Sequence, residues 1–204
     1  MIESRLARAI SYVFHPLLIP SCILALMMTL DNFQYRSLPF TYNLALFGVV
    51  FLTTVLFPLF LIWILYHLRM ISSVFMVNKE ERFYPIFAIS VFYYLTYFIL
   101  KGVHPATIFS YYMLGATLLA ILSMMMNFYR KISLHMIGIG SFTGLFLGLS
   151  LNFGLNLHVE IFSGILASGI IGFARLKLNS HHQTEIYSGF VMGVVVMATL
   201  ITLL

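Results

Sequence analysis

The sequence predicts an all-α protein, a polytopic membrane bundle of about seven helices, six to seven of them crossing the bilayer. Three observations predict it. The 204-residue chain is 61% hydrophobic and only 8% charged, against about 25% charged in a soluble domain. Its mean hydropathy is +1.01. Its apolar runs repeatedly approach the roughly 20 residues that span hydrocarbon. A backbone in lipid must satisfy its own hydrogen bonds, so these runs are expected to be helices.

The first run, Ala9–Leu30, is longer than a signal-peptide apolar region and lacks a small-residue cleavage site, so it is expected to be retained as a span. Pro16 and Pro20 predict kinks in it. Cys22 is the lone cysteine, which rules out an internal disulfide. The second run, Asn43–His67, carries Pro58 and a further expected kink. Ile86–Leu100 and Ala106–Met126 follow. Met136–Leu151 and Val159–Phe173 are rich in small residues. Gly140, Gly144 and Gly148 repeat at every fourth position, and Ser168 with Gly172 continues the theme. That spacing lets helix backbones approach closely, here for packing within one bundle rather than a dimer. Ile186–Leu204 closes the chain. No linker, charge block or low-complexity tract divides it, so residues 1–204 are read as a single integral-membrane domain.

The 11 Lys and Arg residues distribute unevenly over seven spans. Arg5, Arg8, Arg69, Lys79, Arg82, Arg130, Lys131, Arg175 and Lys177 fall on one side. Only Arg36 and Lys101 fall on the other. The positive-inside rule makes the rich side cytoplasmic, with the N-terminus there and the cell (inner) membrane as the expected location. The formal charge of +5 suits anionic lipid headgroups or an anionic substrate rather than nucleic acid, because the aromatic residues sit inside apolar runs and do not alternate with basic ones.

Three polar clusters interrupt the runs: Asn78–Pro85 (NKEERFYP), Tyr129–His135 (YRKISLH) and Ala174–Gly189 (ARLKLNSHHQTEIYSG). An even number of spans separates each from the next, so all three are expected at one membrane face. Together they offer Lys79, Arg82, Lys131, Arg175 and Lys177 as cations, with Ser133 as a hydroxyl donor. Arg grips a phosphate with parallel hydrogen bonds and Lys adds a mobile charge. If the last helix begins a turn early, His181 and Glu185 share one face at i and i+4. The carboxylate then holds the imidazole in one tautomer, as a histidine nucleophile or base requires. His135 is placed to protonate a leaving group. The His181-His182-x-x-Glu185 run contains metal-ligand types, but only His135 is an evident further ligand and nearby cations oppose a metal. No metal and no cofactor are expected. His15, His67, His104 and His158 read as packing or interfacial residues. His15 is the least settled, since a polar residue within an apolar run is a functional candidate by default.

The third cluster has the form Arg175-x5-His181-x3-Glu185. It resembles the third signature of the type 2 phosphatidic acid phosphatase (lipid phosphatase and haloperoxidase-like) family, Ser-Arg-x5-His-x3-Asp, with Ala174 for the serine and Glu185 for the aspartate. Ile132-Ser133-Leu134-His135 resembles the family's Pro-Ser-Gly-His, without its proline and glycine. Lys79, Arg82 and Pro85 follow the order of its Lys-x6-Arg-Pro in compressed spacing. The resemblance spans residues 79–189 and marks a divergent member. It implies a membrane phosphatase acting on lipid phosphates or isoprenoid (polyprenyl) diphosphates through a metal-independent phosphohistidine. It implies His181 as nucleophile, Glu185 as its orienter and His135 as the acid. Lys79, Arg82, Ser133 and Arg175 would hold the phosphate. The alternative expectation is a non-catalytic binder or transporter of anionic lipids on the same bundle, which needs the cations but not the His181–Glu185 pair.

Overall fold

The computed structural model describes residues 2–72 and 80–204. The fold is an all-α bundle, and no strand forms among the described residues. The helices are α1 (Ile2–Val13), α2 (Ile19–Thr29), α3 (Phe40–Phe51), α4 (Phe57–His67), α5 (Phe83–Leu100), α6 (Thr107–Tyr129), α7 (Leu134–Phe153), α8 (His158–Lys177) and α9 (Gln183–Thr202). Among the described residues, six helices are long and apolar enough to cross a membrane: Phe40–His67 as one continuous element, then α5 to α9. Large apolar side chains such as Phe60, Trp63, Phe87, Phe162 and Tyr187 lie exposed on them. Water would penalise that surface, and acyl chains cover it. The chain is an integral membrane protein.

The expected first span, Ala9–Leu30, is not one helix. The chain leaves α1 at Val13 and turns through His15–Leu18 before α2 begins. Pro16 has no N–H for the ladder and its ring clashes with the preceding turn, so it breaks the helix instead of bending it. Pro20 is tolerated because it lies in the first turn of α2. Pro58 acts differently. Immediately before it the helix widens into a π-turn at Leu52–Leu56, then resumes as α4.

The contacts group the chain into two compact units. Residues 20–130 form one. Within it, α5 packs on α6. Buried hydroxyls tie its helices: Thr96 Oγ1 donates to Thr53 Oγ1 at 2.8 Å, and the Ser21 and Thr54 hydroxyls meet at 3.4 Å.

Residues 1–19 and 131–204 form the other unit, built from α1, α7, α8 and α9. The glycine stripe of α7 lies directly on α9. A Cβ at Gly140 would collide with the Phe190 carbonyl, and one at Gly148 would meet the Ile201 side chain at 2.8 Å. Small residues therefore serve packing inside this unit. Met136, Ile139, Ile171 and Ile186 form its core beneath the polar loops. Ala7 and Ile10 on α1 and Phe14 just beyond it recur at helical spacing, with Ala7 buried and Ile10 and Phe14 packed against that core. Glu3, in the first turn of α1, pairs with Lys177 at 2.5 Å.

Candidate active site

The site is assembled where α8 ends and α9 begins. The basic residues Arg175 and Lys177 belong to the last turn of α8, beyond the apolar run that ends at Phe173. Both are good helix formers, and cations suit a helix C-terminus. Reversal follows at Asn179, whose φ is +49°. Asn179 N–H donates to Leu176 C=O at 2.9 Å, and Ser180 N–H donates to Arg175 C=O at 3.2 Å. These two bonds make a Schellman stop. They bring His181 back over the helix end while α9 starts two residues later.

His181 lies before α9, not in an extra first turn of it: His182 is the N-cap and Glu185 the third helical residue. The helix begins early, at Gln183 instead of Ile186, and Glu185 serves as the third residue of its capping box. Glu185 Oε2 accepts the His182 N–H at 3.4 Å and the His181 Nδ1–H at 2.6 Å. A carboxylate at this helix position also meets the positive end of the helix dipole. His181 is buried at 8% exposure. The bond to Glu185 places the Nδ1 proton and leaves the ring's lone pair on Nε2.

The second loop joins this one through backbone. Ser133 N–H donates to the Glu185 C=O at 3.3 Å. Gly189, one turn along α9, makes the close approach fit, since a Cβ there would stand 2.9 Å from the Ser133 carbonyl. Ser133 is fully buried at the N-cap of α7, and its Oγ has no hydrogen-bond partner among the described residues. An unmet buried hydroxyl costs about 1–3 kcal/mol.

His135 lies in the first turn of α7. A carbonyl can only accept, so its Nε2–H donates to Ser11 C=O on α1 at 3.0 Å. Arg175 Nη1 donates to the hydroxyl of the same Ser11 at 3.4 Å, and that hydroxyl donates to Ala7 C=O at 3.0 Å. His15 meets His135 edge to face, with ring centroids 5.8 Å apart. Leu17 N–H donates to His15 Nδ1 at 3.4 Å, which places the neutral ring's proton on Nε2. Arg175, His15 and His181 all lie within electrostatic reach of His135. Burial, then the Arg175 charge, holds the His15 imidazole below its ordinary value.

Of the seven residues expected at the site, one unit brings together Ser133, His135, Arg175, His181 and Glu185. Arg82 ends a short 3-10 turn, Glu80–Arg82, in the other unit. Lys79 lies outside the described residues. Lys177 is taken by Glu3. Ser11 and His15 join the cluster although neither was expected there. The available signal for His15 was its place as a polar residue in an apolar run. No family model, curated protein or solved structure matches the chain.

Proposed function

We propose that the protein is a membrane phosphatase that hydrolyses lipid phosphates or isoprenoid diphosphates through a phosphohistidine on His181. The observation that carries this reading is the 2.6 Å contact of His181 with Glu185 in a loop tied by backbone to Ser133. The resemblance of Arg175-x5-His181-x3-Glu185 to the type 2 phosphatidic acid phosphatases supports it. So does the buried Ser133 hydroxyl, a donor of the kind that a phosphate oxygen satisfies. The N-terminus of α7 adds backbone N–H groups and a helix dipole favourable to an anion.

In the proposed reaction, Arg175 and Ser133 bind the phosphoryl oxygens. The His181 Nε2 lone pair attacks phosphorus and the P–O bond to the lipid breaks. Because His135 Nε2–H is held by Ser11, His135 delivers a proton from Nδ1 while protonated on both nitrogens, and the lipid leaves as an alcohol or as a monophosphate. Water then cleaves the P–N bond, returns a proton to His135 and releases inorganic phosphate. Glu185 keeps the His181 ring in the reactive tautomer and stabilises the charge it acquires. By the positive-inside bias, the site faces the cytoplasm of a cell membrane.

The test is release of inorganic phosphate from lipid phosphates and polyprenyl diphosphates without added metal, comparing the wild type with His181→Ala. Release by the wild type alone supports the reading, and equal release by both overturns it. Anionic-lipid binding that survives Glu185→Gln and His135→Ala, with no turnover in any variant, supports a binder or transporter instead.

A further inference from the structure

We propose that the N-terminal segment is part of the reaction centre, with Ser11 and His15 as positioning residues for Arg175 and His135. The inference rests on the phosphatase reading for what the two partners do, but its geometry stands alone. One serine serves two groups of different roles. Its hydroxyl holds Arg175 Nη1 at 3.4 Å and its carbonyl holds His135 Nε2 at 3.0 Å. His15 meets the His135 ring edge to face at 5.8 Å, and is itself fixed by Leu17 N–H in the turn that Pro16 forces. α1 is anchored for this task by Glu3 on Lys177 and by Ile10 and Phe14 against the core.

The two contacts divide the labour. Of the two site groups the Ser11 hydroxyl touches only Arg175, its other bond being to Ala7 C=O, so its loss weakens substrate capture. The His15 ring meets only His135 of the two, its other contact being Leu17 N–H, so its loss misplaces the proton donor after substrate is bound. Small misplacements of a reacting group cost turnover rather than affinity.

The experiment compares Ser11→Ala, Ser11→Thr, His15→Ala and His15→Asn in the full-length protein. His15→Asn retains an acceptor for Leu17 N–H and so preserves the turn if alanine does not. Readouts are kcat and KM on a lipid phosphate, titration with inorganic phosphate, and the imidazole nitrogen NMR signals of His135 in histidine-labelled protein. Ser11→Ala is expected to raise KM and the phosphate Kd about 3- to 10-fold, the worth of one hydrogen bond, with kcat little changed. Ser11→Thr restores both. His15→Asn and His15→Ala are expected to lower kcat about 10- to 100-fold, to leave KM little changed and to shift the His135 signals. Unchanged His135 signals in both His15 variants, together with unchanged phosphate affinity in Ser11→Ala, overturn the inference. If the wild type releases no phosphate, the phosphatase reading falls. The positioning claim is then decided by the NMR signals and the phosphate titration alone.

Discussion

His181 Nδ1 and Glu185 Oε2 stand 2.6 Å apart although His181 lies outside the helix that carries Glu185. The carboxylate therefore does two things: it caps α9 through the His182 N–H and it orients the His181 ring. Glu185→Gln separates these tasks, because an amide oxygen still accepts the cap but carries no charge. Turnover is expected to fall by roughly 10²–10⁴-fold, while thermal unfolding in detergent moves little. Wild-type kcat in the variant would remove Glu185 from the mechanism.

Gly140 sets the distance between α7 and α9. Its replacement by alanine places a Cβ against the Phe190 carbonyl and within 3.1 Å of Gly193 Cα. Neither is the end of a flexible side chain, so the helices must separate. Gly140→Ala is expected to destabilise by about 1–3 kcal/mol. Thermal unfolding checks this against Gly169→Ala, where nothing lies within 4 Å of the added atom.

Asn179 holds the left-handed position of the stop that returns the chain to His181. Asn179→Gly is expected to match or slightly exceed wild-type stability. Asn179→Val is expected to lose about 1–2 kcal/mol, from its branched Cβ at positive φ. The valine variant should also lose turnover, since His181 follows two residues later. Thermal unfolding and phosphate release, measured side by side, test both effects.

The anchor of α1 is pH-dependent in a definite direction. The side-chain hydrogen bond and charge of Lys177 hold the exposed Glu3 carboxyl below its ordinary 4.5. A depressed carboxylate contributes stability above its unfolded value and loses it as pH falls through the folded one. Amide protection in Ile2–Val13, taken relative to the intrinsic exchange rate at each pH, is therefore expected to fall below about pH 4.5, and high salt should have a similar effect at neutral pH. Glu3→Gln should show the reduced protection at both pH values. A wild-type helix with no such pH step would contradict the role given to this pair.

The spans were legible because apolar length is written continuously in the sequence. Every run after the first is found as a helix, lengthened by a few residues where Arg175 and Lys177 or Phe83 and Tyr84 extend the pattern. The first run misled because apolar composition conceals a break; Pro16 marked it but did not reveal that α1 would pack separately from α2. The His181–Glu185 pairing was legible because it is local, four residues apart. Ser11 was not. Its partners His135 and Arg175 lie 124 and 164 residues away, and no spacing rule reaches across a folded bundle.

The central claim is that His181 carries the phosphoryl group. The most direct measurement is rapid acid-free quenching of the protein with a phosphorus-labelled lipid phosphate, in chelator, followed by analysis of the bound label. Wild type is expected to hold acid-labile, alkali-stable label that His181→Ala lacks and that Glu185→Gln accumulates more slowly. Label of the same stability retained in His181→Ala, or phosphate release by the wild type with no labelled protein at any time, would contradict the account.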